Sequence, residues 1–214
     1  YMYEITGNED FRTEAERFTG FLSKVQYRTN THDVGFMLQC SYGNGFRITG
    51  NEAYKQVLMT GATNLLNRFH PETGLIKSWD GRKNWQYPVI IDNMMNLELL
   101  YETGKLTDNK KMLAATVSHA DKTIENHFRP DFSCYHVVNY DSISGKVISK
   151  VTHQGYSDAS SWARGQAWAL YGYTMMYRET KKVEYLKQAE NIAQYILHHT
   201  NLPKDKIPYW DFDA

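Results

Sequence analysis

Two aspartates stand where acid–base chemistry could take place. Asp92 follows the apolar run 89–91 and opens a helix that is apolar on nearly every side, and Asp33 opens a second such helix. One interpretation makes each an N-cap that accepts hydrogen bonds from free helix amides. The other lets both carboxylates converge at one rim, where burial and proximity would separate their pKa values. Such a pair suits general acid–base chemistry on sugars.

The start of a third apolar helix supplies a cation and aromatic rings. Arg164 and Trp168 are four residues apart, so they share one helix face. A buried guanidinium beside indoles can be a structural cation–π pair. It can equally grip a sugar carboxylate with two parallel N–H donors while an indole stacks on the sugar. The residues alone leave both interpretations open.

Further polar side chains precede this helix. The turn 152–156 could present Gln154 or His153 to the same rim. His136 lies on a proposed strand over residues 134–140, where a lone histidine is more often structural than catalytic. The long segment 129–158 that holds these residues is predicted to contain a β-hairpin, with strands at 134–140 and 146–152.

Other chemistries find little support. The eight histidines form no HExxH motif and no cluster with cysteine, which argues against a zinc site. The segment 43–45 lacks the third glycine and the preceding strand of a dinucleotide-binding loop, and there is no P-loop and no Gly-x-Ser-x-Gly elbow. Cys40 and Cys134 cannot form a disulfide scaffold.

Composition narrows the function classes further. Lys and Arg total 24 and so do Asp and Glu, so the formal charge of zero argues against nucleic acid or an anionic membrane as partner. A mean hydropathy of −0.60 and the lack of a long apolar run exclude a membrane span. The aromatic content of 14% suits a sugar-binding cleft, although large cores also use it.

Two kinds of helical pattern alternate along the chain. Segments 8–24, 51–68, 109–127 and 183–197 are amphipathic, whereas 34–47, 92–103 and 162–177 are apolar nearly all round. Hairpins with one layer always facing inward form an α-solenoid or a closed α/α toroid. The long loops 70–91 and 129–158 favour the all-α toroid, because solenoid repeats are shorter and more uniform.

Five motifs together resemble a known family. THDVGF (31–36), IDNMMN (91–96), THQGY (152–156), WARGQAW (162–168) and PYWDFD (208–213) occur in order and with compatible gaps. They resemble the unsaturated glucuronyl hydrolases of glycoside hydrolase family 88. The sister family 105, the unsaturated rhamnogalacturonyl hydrolases, shares the architecture but usually has an Arg-Gly-Asn-Gly-Trp type of sequence at the position of RGQAW.

The resemblance implies an (α/α)6 toroid and an unusual reaction. The substrate would be a Δ4,5-unsaturated uronic acid at the non-reducing end of a lyase-generated oligosaccharide, and water would add across the C4=C5 bond without any cofactor. The matched Asp92 would be the general acid and base, and Asp33 its partner. The residues that would bind the sugar are His136, Gln154, Trp162, Arg164 and Trp168.

The length of the chain departs from this family. Its 214 residues hold about seven of the twelve helices of such a toroid, so we expect residues 1–214 to be part of a single (α/α)6 catalytic domain that is truncated at both ends. Two alternatives remain: a rhamnogalacturonyl hydrolase, and a non-catalytic toroid that binds sugar or protein through its aromatic cleft. The sequence does not predict an oligomeric state or a cellular location.

Overall fold

Helices dominate the computed structural model, which describes residues 1–80 and 84–214. The predicted loop 70–91 includes residues 81–83, which lie outside the described residues. In chain order the helices are α1 (Met2–Thr6), α2 (Glu9–Phe21), α3 (Val34–Leu38), α4 (Asn44–Thr49), α5 (Glu52–Leu66), α6 (Asn93–Leu106), α7 (Lys110–His127), α8 (Ala163–Thr180) and α9 (Val183–His198). A 3₁₀ turn, Ser23–Tyr27, follows α2, and the π-helical segment Gln39–Gly43 joins α3 to α4.

Each predicted helical segment is confirmed, with ends that move by a few residues. The clearest starts are those of α2, α5 and α7, where Asn8, Asn51 and Asn109 have extended backbones and side chains that accept a backbone N–H two residues further on. Within the described residues, no helix has both the length and the apolar character needed to cross a membrane.

The helices form two layers, as the alternation of patterns predicts. Helices α3, α6 and α8 pack side by side, and each also packs against the amphipathic helix that follows it in the chain, α5, α7 or α9. The first turns of α3, α6 and α8 meet at one cavity, whereas α4 and the later turns of α6 and α8 line another. The inner helices therefore run in the same direction, and everything placed at their N-terminal ends lies at one rim.

Glycines allow the inner helices to approach closely. A Cβ atom added to Gly35 of α3 would lie 2.5 Å from the Cβ of Asn96 in α6. One added to Gly172 of α8 would lie 2.4 Å from the Cβ of Met94 and 2.9 Å from its carbonyl oxygen. Asn96 also accepts the backbone N–H of Phe36 at 2.7 Å. These contacts set the spacing of the three helix starts.

A small sheet supports the rim. Strand β3 (Tyr87–Ile90) pairs antiparallel with β4 (Val137–Tyr140), which pairs antiparallel with β5 (Val147–Val151). The predicted hairpin is confirmed, but β4 begins at Val137, so the expectation that His136 lies on the strand was wrong. The pairing of β3 with β4, and the two-residue pair β1 (Phe69–His70) and β2 (Leu75–Ile76), were not predicted.

Replacement of Gly172 tests the close approach of α8 to α6. Gly172→Ala should lower the free energy of unfolding by about 1–3 kcal/mol, the usual cost of overpacking, because a backbone carbonyl of Met94 cannot move aside. Urea denaturation of the whole protein measures this. Gly20→Ala in α2, where an added Cβ meets nothing within 4 Å, is the matched control and should be neutral or stabilising. Equal stability of the two variants would contradict the proposed close packing.

Candidate active site

Most of the predicted site residues meet around one cavity of about 290 Å³ at the N-terminal ends of α3, α6 and α8. Its polar lining consists of two carboxylates, one guanidinium and one amide, and its apolar lining of aromatic and aliphatic side chains. The lining residues are Asp33, Phe36, Trp79, Ile90, Asp92, Met95, Gln154, Arg164 and Trp168.

Another cavity, of about 670 Å³, lies against α1 and α2 and is larger. Its charged groups include Glu4 and Arg47, which pair with each other at 2.7 Å. We assign the site to the smaller cavity because it lies where three inner helices begin, and because the buried Oδ2 of Asp92, which has no hydrogen-bond partner among the described residues, lies there beside Asp33 and Arg164. Across residues 1–80 and 84–214, no group of three or more His, Cys, Asp or Glu side chains is placed to hold a metal ion.

Asp92 is a buried carboxyl group that does not cap its helix. It occupies the N-cap position of α6, but its backbone is helical (φ −54°, ψ −25°) and its side chain makes no capping hydrogen bond. Its Oδ2 atom is buried and has no hydrogen-bond partner among the described residues. Burial raises the pKa of Asp92 to about 6, against the smaller lowering effects of the nearby His32 and Arg164. The sequence argument named both burial and the neighbouring Asp33 as causes, and Asp33 contributes less than burial does.

Asp33 has the opposite environment. Its side chain is 35% exposed, it accepts from the Thr31 hydroxyl at 3.1 Å, and His32 Nε2 lies 3.2 Å from its other oxygen. Burial alone would raise the pKa of Asp33, but His32, Thr31 and the charge of Arg28 outweigh it and lower the pKa. The two carboxyl groups are thus separated in acidity: Asp33 is ionised at a pH where Asp92 still carries a proton.

A cation and an amide face the carboxyl groups across the cavity. Arg164 Nη2 donates to the Oε1 of Gln154, and the guanidinium lies 4.6 Å from the ring centroid of Trp162. The expectation of a buried guanidinium was wrong, because Arg164 projects from the first turn of α8 and is exposed. Trp168, one turn further along, lines the cavity beside it. The arrangement offers N–H donors and a ring to a ligand in the cavity.

His136 and Trp162 lie behind the cavity wall rather than on it. Both are buried, and their ring centroids are 4.4 Å apart. The Nε2 atom of His136 lies 3.8 Å from Oδ2 of Asp92. Burial lowers the pKa of His136 to about 3, so the imidazole is neutral. These two residues therefore contact the residues of the cavity wall from the side of the protein interior.

The loop that carries Gln154 is pinned from the far end of the chain. Asp211 is fully buried, and its Oδ2 accepts the backbone N–H of Tyr156 at 2.9 Å and the hydroxyl of Ser160 at 2.8 Å. The backbone N–H of Ala163 in turn donates to the carbonyl of Trp210 at 3.1 Å. The PYWDFD motif thus holds both the Gln154 loop and the start of α8.

Three residues near the site were not singled out from the sequence. Trp79 lines the cavity, and its ring lies 5.7 Å from that of Trp85 and 5.5 Å from that of His153. His32 and Ser78 are fully buried next to each other and to Asp33. Trp79 and Ser78 lie in the predicted loop 70–91, where no periodic pattern distinguishes them. The available signal was the sequence Ser78-Trp79-Asp80, in which a hydroxyl and an indole precede an acidic residue in a long loop.

Comparison with known proteins finds one matching family profile and several similar sequences. The sequence profile of Glycosyl Hydrolase Family 88 matches residues 1–191. The chain is 46% identical to the unsaturated glucuronyl hydrolase of Formosa agariphila, over 99% of this chain and 54% of that protein. It is 33% identical to the unsaturated chondroitin disaccharide hydrolase of Streptococcus agalactiae, over 98% of this chain and 53% of that protein.

This chain is also similar to a protein of known structure. The crystal structure of an unsaturated glucuronyl hydrolase specific for heparin superimposes with a TM-score of 0.97 at 52% identity, covering 99% of this chain and 57% of that one. The predicted all-α architecture of the (α/α)6 toroid type is confirmed by this likeness. The chain spans about half the length of the curated relatives it matches.

The raised pKa of Asp92 has a consequence for stability. Below pH 3.8 the group is protonated in both the folded and the unfolded state. As the pH rises from 3.8 to about 6 the unfolded state loses this proton first, so the wild-type protein should lose up to ~3 kcal/mol of stability. Asp92→Asn has no carboxyl group to titrate, so its free energy of unfolding should increase relative to that of the wild type between pH 4 and 7.

Urea denaturation of the whole protein at a series of pH values measures this difference. Asp10→Asn, an exposed position in the first turn of α2, is the control, and its difference from the wild type should be much smaller than that of Asp92→Asn. A difference between Asp92→Asn and wild type that does not grow with pH would show that the carboxyl group is not held in its neutral form.

Proposed function

This chain belongs to glycosyl hydrolase family 88, and on that premise we propose that the whole protein is an unsaturated glucuronyl hydrolase. Its substrate would be an oligosaccharide of the glycosaminoglycan type whose non-reducing end is a Δ4,5-unsaturated uronic acid, the product of a polysaccharide lyase. The names of the relatives support this class, since they include a chondroitin disaccharide hydrolase and a heparin-specific enzyme. The single observation that carries the proposal is the buried carboxyl group of Asp92 on the cavity wall, with its pKa near 6.

In the proposed reaction Asp92 delivers and then recovers one proton. The neutral carboxyl group protonates C4 of the vinyl ether, and the positive charge that develops at C5 is shared with the ring oxygen. The resulting carboxylate takes a proton from the water that adds to C5, which restores the acid. The hemiketal at C5 then collapses, opens the ring and releases the neighbouring sugar with the glycosidic oxygen. A pKa close to the working pH suits both halves of this cycle.

Asp33 supports the cycle in its ionised form. Its lowered pKa keeps a negative charge in the cavity, which favours the developing positive charge at C5 and provides an acceptor for a sugar hydroxyl. Because Asp33 and Asp92 differ in acidity, one carboxyl group donates the proton while the other remains charged. No third acid lines the described part of the cavity as a candidate nucleophile.

The opposite wall is suited to the uronate itself. Arg164 presents its guanidinium to the cavity and can hold a carboxylate through two parallel N–H bonds, while Gln154 accepts one of its hydrogens and limits its movement. Trp168 and Trp79 offer ring faces to the flat unsaturated sugar. We place His136 and Trp162 in the layer that supports these groups.

The test of this function uses unsaturated disaccharides from chondroitin, heparin and rhamnogalacturonan. The whole protein should remove the absorbance of the C4=C5 bond from a glycosaminoglycan disaccharide and leave saturated glucuronides intact. Turnover in H₂¹⁸O should place the label on the new keto carbon of the opened uronic acid. Label at the anomeric carbon, or cleavage of saturated glucuronides, would contradict hydration. Preference for the rhamnogalacturonan disaccharide would favour the pectin-type alternative.

Loss of the proton donor should stop this reaction. Asp92→Asn keeps the shape of the side chain but cannot donate to C4, so kcat should fall by at least about 10²–10⁴-fold. In the wild type, kcat/KM should decline as the pH rises above about 6, where Asp92 in the free enzyme loses its proton. Asp10→Asn is again the control. Asp92→Asn with more than half of the wild-type rate on every disaccharide would refute the assignment.

Arg164 is expected to recognise the carboxylate. Arg164→Lys keeps the charge but loses the two-pronged geometry, and KM should rise about 10- to 100-fold, the value of a charge-assisted hydrogen bond of ~1.5–3 kcal/mol. Methyl esterification of the substrate should weaken binding to the wild type and add little to the defect of the variant. Additive losses would show that Arg164 does not contact the carboxylate. Arg12→Lys, on the surface of α2, is the control.

A further inference from the structure

Each of the two carboxyl groups in the cavity has a buried histidine behind it. His32 Nε2 lies 3.2 Å from an oxygen of Asp33, and His136 Nε2 lies 3.8 Å from an oxygen of Asp92. Both Nε2 atoms are buried, and within the described ranges 1–80 and 84–214 neither has a hydrogen-bond partner. A carboxylate oxygen nevertheless lies within 4 Å of each of these two nitrogens.

The other ring nitrogen of His136 shows where its proton is. The backbone N–H groups of His153 and Gln154 both donate to Nδ1 of His136, each at 3.1 Å. A ring nitrogen that accepts hydrogen bonds carries no proton, so the single proton of the neutral imidazole is on Nε2. That nitrogen is the one that lies 3.8 Å from Oδ2 of Asp92. The backbone of one loop therefore determines the tautomer of this histidine.

Ser78 stands in the corresponding place beside His32. Its Oγ lies 3.4 Å from Nδ1 of His32 and is fully buried with the ring. The backbone N–H of Ile90 already donates to this Oγ at 2.9 Å, which leaves the hydroxyl hydrogen to be given to an acceptor. The backbone N–H of His32 donates a hydrogen bond to the carbonyl of Ser78 at 3.2 Å, which holds the two residues together.

We infer that Ser78 is a positioning residue of the active site: its hydroxyl donates to Nδ1 of His32, keeps the proton of that imidazole on Nε2, and so directs the N–H at Asp33. The consequence for catalysis rests on the proposed function. A donor held against Asp33 stabilises its carboxylate and fixes the oxygen that remains free for the sugar. Ser78 itself does not line the cavity and acts only through His32.

Several ionisable groups bear on this arrangement. His32 lies beside Asp33 and interacts electrostatically with groups at the start of α6, on α7 and in the segment before β4. Asp33 also interacts with a cation that follows the 3₁₀ turn. The interacting groups are Arg28, Asp33, Asp92, His119 and His136. The test therefore reads the position of the proton on His32 directly.

The first experiment is ¹⁵N NMR of the whole protein labelled at histidine, with the His32 signal assigned by its loss in His32→Asn. In the wild type at neutral pH, we expect an unprotonated Nδ1 and a protonated Nε2. In Ser78→Ala, a population with the proton on Nδ1 should appear. A protonated Nδ1 in the wild type would overturn the inference, and so would an unchanged tautomer in Ser78→Ala. If that variant does not fold, the wild-type spectrum still decides where the proton is.

The second experiment measures hydrolysis by the same variants. Ser78→Ala should lower kcat/KM about 10- to 100-fold, as expected when a reacting group is misplaced by a fraction of an ångström to 1 Å. The control is Ser118→Ala on α7, which also loses one hydrogen bond, to the carbonyl of Gly74, and should stay within twofold of wild type. Equal activity of Ser78→Ala and wild type would refute the positioning role.

The two experiments separate the inference from the proposed function. If the whole protein hydrolyses no unsaturated disaccharide, the proposed function fails, whereas the NMR result for Ser78 and His32 still stands or falls by itself. If hydrolysis is found but the tautomer of His32 does not depend on Ser78, only the inference fails.

Discussion

The site depends on the burial of one carboxyl group. Asp92 lies at the start of a helix but turns away from the helix amides, and one of its oxygens has no hydrogen-bond partner in the described part of the chain. Burial of an ionised carboxylate in this way is costly, so the group holds its proton to a higher pH. The neutral form is the one that the proposed proton donation requires. It persists only if the surrounding residues do not rearrange to stabilise the carboxylate. The inner helices, the three-stranded sheet and the buried histidines limit that rearrangement.

The close packing of the inner helices and the pinning of the loops have the same result. Gly35 and Gly172 allow α3 and α8 to approach α6, and this brings the first turns of the three helices to one rim. Asp211 fixes the Gln154 loop, and Arg129 adds hydrogen bonds to the carbonyls of Asp158 and Ser160 in the same loop. Groups far apart in the sequence therefore have few alternative positions, which is what acid–base chemistry with fixed distances needs.

Much of this arrangement could be predicted from the sequence. The 3.6-residue periodicity located the long helices, and the contrast between amphipathic and all-round apolar patterns identified the inner layer. The pairing of β3 with β4 was missed because the strands are separated by more than 40 residues and the run 87–91 reads only as apolar.

The sequence alone could not decide whether Asp33 and Asp92 cap their helices. The reason is conformational: the asparagine caps have an extended backbone, whereas both aspartates are helical there, which turns their side chains away. Ser78 and Trp79 carry no periodic signal, and their position follows only from the tertiary structure.

The control of His136 by backbone amides has a consequence for mutational robustness. The two N–H groups that donate to Nδ1 belong to the backbone at positions 153 and 154, and every amino acid except proline supplies the same donor there. A substitution of Gln154, whose side chain lines the cavity, can therefore alter the shape and charge of the rim while the protonation pattern of the imidazole behind it persists. Under the proposed function, substrate preference can therefore diverge at the rim without a change in the imidazole next to Asp92.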